Sequence, residues 1–232
     1  MQVQVGKNPE APGAATLAES VRMSLIKDLS SGAMRPGQPI DEKLLCDRFQ
    51  VSRTPIREAI LHLAAQGFVV INPRSGATVP KLSLQMLREL LELLGELEGT
   101  AASFAARRSR PSERAELQSS VDECMKAAER GDSAAYAAAN DRFHELVYDA
   151  CRNGSLVEQI RALRTRCASY TANRFDFPGR MERSSREHEA VCKAILAMDP
   201  QAARDAMLEH ISIGGKDFAE FVSGLPPDFV GL

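Results

Sequence analysis

The hydrophobic pattern of the chain is most informative around residues 52–64, where apolar and polar positions separate onto two sides of one helix. The apolar positions follow the i, i+3, i+4, i+7, i+8 spacing of an amphipathic helix: Ile56, Ala59, Ile60, Leu63 and Ala64. Arg53, Thr54 and Arg57 fall outside that stripe and are expected to face solvent. Ser52 is a candidate N-cap, and Pro55 suits the first turn because its missing N–H has no partner there anyway. The pattern predicts a short helix that presents two arginines and a threonine at its start.

Two further helices are predicted upstream. In the first, apolar residues recur at every fourth position: Leu17, Val21, Leu25 and Leu29. Turn-forming residues at 30–37 end this pattern. Asp41 is expected to cap a short second helix, with Leu44, Leu45 and Phe49 directed inward. Only two residues separate this helix from the next, so the pair predicts a helix-turn-helix.

A β-hairpin is predicted after the third helix. Gly67 ends that helix, and residues 68–71 are rich in β-branched side chains. Residues 72–76 have the composition of a turn, after which residues 77–79 can return as a second strand. The unit is therefore a winged helix, with Arg74 and Gly76 at the tip of the wing.

The remainder of the chain predicts an all-helical domain, because it lacks strand-like alternation and is rich in Ala, Leu, Glu and Arg. Turn residues divide it into six helices, at about 84–108, 111–130, 133–151, 155–174, 180–198 and 200–223. The fold class is mainly α: an N-terminal winged helix-turn-helix at residues 14–80 and a C-terminal antiparallel helical bundle at residues 84–223. Residues 1–13 are expected to form a disordered arm.

Composition favours a soluble two-domain protein. The 232 residues are 44% hydrophobic, and no apolar segment follows a cationic leader or approaches the roughly 18 residues of a membrane span, so we expect a cytoplasmic protein without a membrane partner. Five scattered cysteines without a C-x-x-C pair fit a reducing compartment. The net charge of −2 divides into +2 for residues 1–80 and −4 for the rest. The small net positive charge of residues 1–80 predicts modest non-specific affinity for nucleic acid. We therefore expect a homodimer, which presents two copies of the first domain at once.

Three of the four histidines lie in the predicted bundle, at His144, His188 and His210. Asn140 precedes His144 by four residues and therefore shares its helix face. Antiparallel packing of the last two helices could bring His188 and His210 level with each other. Imidazoles that converge inside a bundle can bind a divalent metal such as Zn²⁺, Ni²⁺ or Mn²⁺, although a single helical histidine is more often a capping or surface residue.

Four segments of the first domain carry a family resemblance: 41–44 (DEKL), 51–59 (VSRTPIREA), 63–68 (LAAQGF) and 74–77 (RSGA). Together they closely resemble the DNA-binding domain of the GntR family of bacterial transcription regulators, over roughly residues 14–80. The resemblance implies that Arg53, Thr54 and Arg57, next to the capping Ser52, contact operator bases and phosphates of double-stranded DNA.

The same resemblance implies DNA contacts outside the third helix. Lys43 is expected to contact DNA from the second helix, at a position where relatives often carry arginine. Lysine cannot make the bidentate base contact of an arginine, which favours a phosphate contact here. Gly76, beside Arg74, is expected to let the wing enter the minor groove.

The second domain also carries a resemblance, in the segments 140–144 (NDRFH), 153–156 (NGSL), 185–188 (SREH) and 206–211 (AMLEHI). Residues 84–222 look like the FCD ligand-binding domain of the FadR-like branch of the family. Many such domains hold a metal with an aspartate and three histidines, which implies that His144, His188 and His210 are ligands here. Asn140 stands at the aspartate position, and its uncharged amide oxygen predicts weaker metal binding.

The resemblance also implies an effector with a carboxylate. Many relatives carry an arginine four residues before the position of Glu98 to bind that group, but this chain has Leu94. Arg161 and Arg164, on the facing helix, are candidates to replace it, and a solvated surface role is the alternative for both.

The combined prediction is a homodimeric transcription regulator, a repressor like most such relatives, whose operator affinity is controlled by a small organic acid bound at the metal. One alternative is a metal-dependent hydrolase with Glu187 or Glu145 as base, although an enzyme does not need a winged helix. A second alternative is a purely structural metal in a regulator without an effector. We expect no enzymatic activity.

Overall fold

The computed structural model describes residues 16–211, 222–226 and 229, and the predicted N-terminal arm lies outside them. The first domain comprises three helices and three short strands: α1 Leu17–Ser30, β1 Pro39–Ile40, α2 Glu42–Phe49, α3 Arg53–Ala65, β2 Val70–Asn72 and β3 Gly76–Thr78. Strand β3 lies in the middle of an antiparallel sheet, where Ala77 is opposite Ile40 on one side and Ile71 on the other. The arrangement is a winged helix. The sequence does not predict β1, because two residues are too few to show alternation.

The apolar stripes of α1 and α3 meet in the core of this domain. The buried positions of the two helices are Val21, Leu25, Leu29, Ile56, Ala59, Ile60 and Leu63. The prediction that Leu44 is directed inward is wrong, because its side chain is 66% exposed. Leu44 precedes the buried Leu45 by one residue, and the rotation of about 100° per residue turns it away from the core.

The two helices of the helix-turn-helix, α2 and α3, differ in how their first turns are capped. Asp41 caps α2 as predicted, since its Oδ1 accepts hydrogen bonds from the backbone N–H of Lys43 at 2.8 Å and Leu44 at 3.1 Å. Ser52 occupies the N-cap position of α3, but its side chain makes no capping hydrogen bond. The hydroxyl of this exposed serine is therefore not used by the helix.

The second domain contains six described α-helices and a short 3-10 helix: α4 Leu84–Arg108, α5 Pro111–Glu129, α6 Ser133–Cys151, α7 Gly154–Thr171, the 3-10 helix Arg174–Asp176, α8 Arg180–Leu196 and α9 Pro200–Ile211. Helix α7 ends three residues earlier than predicted, and Arg174 begins the 3-10 helix instead. The predicted continuation of the last helix to residue 223 falls mostly on 212–221, outside the described residues. No helix in the described ranges is long and apolar enough to cross a bilayer.

Helix α4 forms the centre of the bundle and packs against α6, α7, α8 and α9. Gly99 lets α9 come close to it. A Cβ atom at this position would lie 3.1 Å from Cγ of Leu208 and 3.3 Å from the backbone oxygen of Arg204. The close approach brings α9, with His210, against the part of α4 that carries Glu98.

Helix α7 also forms the junction with the winged helix, through its contact with α1. Oγ of Ser169 donates a hydrogen bond to the backbone oxygen of Met34 at 2.7 Å. Oγ of Ser30 lies 3.0 Å from Oγ1 of Thr165. One helix of the bundle thus seats the winged helix.

Candidate functional site

The start of α3 presents its polar side chains to solvent, as the hydrophobic pattern predicts. Arg53, Thr54 and Arg57 are exposed, whereas Ile56 on the opposite side is fully buried. Nε of Arg57 donates a hydrogen bond to Oε2 of Glu42 at 2.9 Å. The two helices of the helix-turn-helix are therefore joined at the solvent side of α3.

The neighbouring exposed elements complete a candidate nucleic-acid interface. Lys43 is exposed in the first turn of α2. Arg74 and Gly76 lie at the turn between β2 and β3 with φ angles of +69° and +83°, and both are exposed. Glycine is suited to this left-handed conformation because it has no Cβ atom to cause strain. The structure thus places the predicted DNA-binding residues on exposed loops and helix starts of one small domain.

The three bundle histidines come together in the interior of the second domain. Nε2 of His188 lies 3.1 Å from Nε2 of His210, which lies 3.3 Å from Nε2 of His144. All three side chains are buried, with exposures of 2% for His144, 0% for His188 and 6% for His210. Their ligand atoms lie within 4.8 Å of one another. Helices α6, α8 and α9 therefore bring their three imidazoles together, as the sequence predicts.

Two carboxylates face the outer nitrogens of this histidine cluster. Nδ1 of His144 lies 2.8 Å from Oε2 of the fully buried Glu98, at contact distance but outside hydrogen-bond alignment. Nδ1 of His210 lies 2.8 Å from Oε2 of Glu187. Arginines neutralise both carboxylates, since Nε of Arg164 donates to Glu98 at 2.8 Å and Nη1 of Arg180 donates to Glu187 at 3.0 Å. The cluster is thus surrounded by paired charges.

Burial and charge set the protonation of these groups. Burial opposes ionisation of Glu98, but the positive charge of Arg164, together with the contact to His144, outweighs it and holds the pKa of this carboxyl well below its usual value. Burial is also the main reason that the pKa values of all three histidines are lowered, and for His188 and His210 the neighbouring imidazoles add to it. Neutral imidazoles next to an ionised carboxylate are in the form that binds metal ions.

The tautomers that these contacts require indicate that a cation fits between the imidazoles. A carboxylate can only accept, so Nδ1 of His210, which is hydrogen-bonded to Glu187, should carry the ring proton, and the carboxylate of Glu98 at 2.8 Å favours a proton on Nδ1 of His144 as well. Their Nε2 atoms, 3.3 Å apart, are then both acceptors, and either the Nε2–H of His188, 3.1 Å from Nε2 of His210, or a cation between the rings would relieve the repulsion. Two nitrogens bound to one Zn²⁺ at about 2.0–2.1 Å are separated by about 3.3 Å in a tetrahedral site. The donor set therefore fits a divalent metal.

The other predicted site residues take different positions. Asn140 is buried one turn before His144, and its amide nitrogen donates to Oδ1 of Asp141 at 3.2 Å. Arg161 lies at the surface and pairs with the exposed Glu145. Arg164 instead reaches the cluster through Glu98, so the surface alternative is wrong for this residue.

Sequence reasoning did not predict that Glu98 and Glu187 contact the histidine cluster. A signal for Glu98 was present, because it continues the buried stripe of Leu87, Leu91 and Leu94 along α4, where a carboxylate needs a partner. Glu187 offers no comparable signal. It is adjacent to His188 in sequence, yet it contacts His210 on the neighbouring helix.

Comparisons with known proteins agree with this architecture. The model for "Bacterial regulatory proteins, gntR family" matches residues 17–79, and the FCD domain model matches residues 89–212. The chain is 29% identical over 198 residues to the probable D-xylose utilization operon transcriptional repressor of Paenarthrobacter nicotinovorans, covering 85% of this chain and 86% of that protein. It is 28% identical over 214 residues to the HTH-type transcriptional repressor RspR of Escherichia coli K12, covering 91% of each. The solved structure of E. coli McbR/YncC superimposes with a TM-score of 0.76 and 25% identity, covering 90% of this chain and 99% of that one.

A winged helix with exposed arginines, joined to a helical domain around a buried histidine cluster, defines a two-domain DNA-binding regulator. More specifically, the chain belongs to the gntR family of bacterial regulatory proteins and carries a C-terminal FCD domain. Membership confirms the predicted fold class, and it confirms that the chain is a transcription regulator and not an enzyme.

Proposed function

We propose that the protein is a cytoplasmic, homodimeric repressor of the FadR-like branch, whose affinity for operator DNA is controlled by a small carboxylate bound at a divalent metal in the FCD domain. The observation that carries the proposal is the convergence of three imidazole Nε2 atoms, within 4.8 Å, inside a domain that also seats a winged helix. Repression, as opposed to activation, is supported by the relatives that are named as repressors.

His144, His188 and His210 would hold the metal, which would be Zn²⁺, Ni²⁺ or Mn²⁺. When bound, such an ion supplies a positive Lewis-acid site that attracts a carboxylate. Asn140 is the candidate for a fourth ligand. Its amide nitrogen bonds to Asp141, so the amide oxygen is its remaining donor atom, and this oxygen adds no negative charge to repel an anionic ligand.

Helix α7 supports the proposed coupling between the two domains. Arg164 contacts Glu98 at the histidine cluster, while the next residue, Thr165, contacts Ser30 of the winged helix. A ligand that favours one position of α7 would thereby favour one position of the DNA-binding head. A coupling free energy of about 1 to 3 kcal/mol would change operator affinity by roughly 5 to 150-fold.

The proposed DNA contacts follow from exposure and charge. Arg53 and Arg57 can reach base edges in the major groove, with Thr54 and Ser52 beside them, and Arg74 with Gly76 would place the wing in the minor groove. Because residues 1–80 carry a net charge of only +2, one head should bind weakly. We propose that two heads of a homodimer bind a short pseudo-palindrome.

The test begins by selecting duplex sequences with the full-length protein from a random pool. Fluorescence anisotropy on the selected duplex then measures affinity for metal-loaded protein with and without a panel of organic acids. We expect at least one acid to raise the melting temperature and to change operator affinity at least fivefold. If acids bind without changing operator affinity, the regulatory proposal fails. If no acid binds while metal removal lowers the melting temperature, the metal is purely structural.

A further inference from the structure

The hydroxyl group of Tyr170, in the last turn of α7, contacts two chain segments that are far apart in sequence. It accepts a hydrogen bond from the backbone N–H of Leu82 at 2.8 Å, and it donates one to the backbone oxygen of Phe229 at 3.1 Å. Leu82 lies in the connector between the two domains, residues 79–83, whereas Phe229 lies beyond α9. Tyr170 and Leu82 are both buried. One buried hydroxyl therefore joins the interdomain connector to a segment that follows the last described helix.

The connector is short, so a contact that fixes Leu82 also acts on the winged helix. Val79 is still hydrogen-bonded within the winged helix, since its backbone oxygen accepts from the N–H of Gly37 at 2.8 Å. Only two residues, one of them Pro80, separate Val79 from Leu82. The ring of proline fixes its φ angle, which removes part of the remaining freedom. The position of Leu82 therefore restricts where the winged helix can lie relative to the bundle.

The described residues 222–226 and 229, which we call the C-terminal segment, pack beside this connector. The rings of Phe229 and Tyr170 meet edge to face, with their centres 6.0 Å apart. The side chains of Leu225 and Phe229 pack against the apolar cluster of α4 and α7 that contains Leu82. Because these two side chains are only partly buried, loss of their contacts should detach the segment without unfolding the bundle.

We propose that the C-terminal segment is a strap that holds the interdomain connector through Tyr170 and so fixes the winged helix in the position that binds operator DNA. A winged helix that is already fixed loses less conformational freedom on binding, so a docked strap raises operator affinity and a detached strap lowers it. The neighbouring Ser169 bonds to Met34 of the winged helix, so the strap acts beside an existing contact between the domains. The inference uses the DNA-binding function of the family and depends neither on the metal nor on the effector of the proposed function.

A substitution in the strap of the full-length protein tests the proposal. F229A removes the ring that packs on Tyr170 and leaves Tyr170 and Leu82 unchanged. Hydrogen exchange of the peptide that contains Leu82 should become about fivefold faster or more, because the hydroxyl that accepts from its N–H is held less firmly. Affinity for the selected duplex, measured by fluorescence anisotropy, should fall about threefold or more. L93A is the matched control, because Leu93 is an exposed apolar residue of α4 and should change neither quantity.

A second variant separates the strap from the hydroxyl that it contacts. Y170F removes this hydroxyl, so it should raise exchange at Leu82 and lower operator affinity at least as much as F229A does. Unchanged exchange at Leu82 in F229A would show that the segment does not hold the connector. Faster exchange with wild-type operator affinity would show that the contact is purely structural, and either result overturns the proposal. Should F229A fail to fold, F229L keeps an apolar side chain without the ring and is judged by the same two measurements.

Discussion

Arg57 and Glu42 form an ion pair across the helix-turn-helix, with Nε of the arginine 2.9 Å from Oε2 of the glutamate. Arg57 is 60% exposed at its side chain, so the pair adds little to stability. The ion pair instead orients the Arg57 side chain, because Glu42 holds the Nε edge of the guanidinium and leaves the other edge facing solvent. It also places a negative charge close to the surface that we propose for DNA.

We therefore expect E42Q to change affinity in opposite directions for the two kinds of DNA. Loss of a negative charge should raise affinity for random duplex, while loss of the fixed Arg57 orientation should lower affinity for the selected operator. Competition binding would show a fall of roughly threefold or more in the ratio of specific to non-specific affinity. A ratio equal to that of wild type would show that Glu42 does not position Arg57.

Substitution of the α3 arginines should separate base contacts from phosphate contacts. R53A and R57A are each expected to cost about 1 to 3 kcal/mol in operator binding and to relax base preference. K43A should weaken all sequences alike, because a lysine contacts a phosphate without reading a base. Affinities for the operator and for single-base variants measure both effects. Unchanged base preference in both arginine variants would contradict the assignment of α3 as the recognition helix.

The histidine cluster predicts metal content. H188A removes one of three converging Nε2 atoms, so zinc, nickel or manganese measured by elemental analysis after dialysis should fall to less than about a tenth, since a lost ligand weakens binding strongly. H62A is the matched control, because His62 is an exposed histidine of α3 and its loss should leave the metal content unchanged. Wild-type stoichiometry in H188A, with the helical circular dichroism signal intact, would remove His188 from the proposed ligands.

The cluster also predicts how stability depends on pH in metal-free protein. The pKa values of His188 and His210 lie well below 6.5 in the folded state, chiefly because of burial, so the unfolded chain binds more protons below that pH. Stability should therefore fall as the pH decreases from about 6.5, by about 1.4 kcal/mol per pH unit for each histidine. Urea denaturation between pH 7.5 and 5.5 measures this slope. H188A should make the dependence shallower, and an unchanged slope would show that His188 does not titrate in this way.

The sequence predicts local elements well and contacts between distant elements poorly. The bounds of α4 and α6 agree with the prediction because turn residues and caps mark their ends in the sequence. The convergence of His144, His188 and His210 follows from helical faces and antiparallel packing. The pairing of Glu187 with His210, or of Arg164 with Glu98, depends instead on helix rotation and side-chain reach, which periodicity does not specify. The seat of the winged helix on α7 likewise depends on contacts between residues more than 130 positions apart.

The contact between α7 and the winged helix gives the sharpest test of coupling between the two domains. Ser169 donates across the domain boundary to the backbone oxygen of Met34, whereas the hydroxyl of Thr171, two residues later, bonds within the described ranges only to carbonyls of its own helix, at Cys167 and Ala168. S169A should therefore reduce the effect of a bound acid on operator affinity by at least a factor of three, while acid affinity without DNA stays the same. T171A should leave the effect intact. Because linkage is reciprocal, the operator should also change acid affinity less in S169A than in wild type. Equal coupling in S169A and T171A would show that this hydrogen bond does not carry the signal.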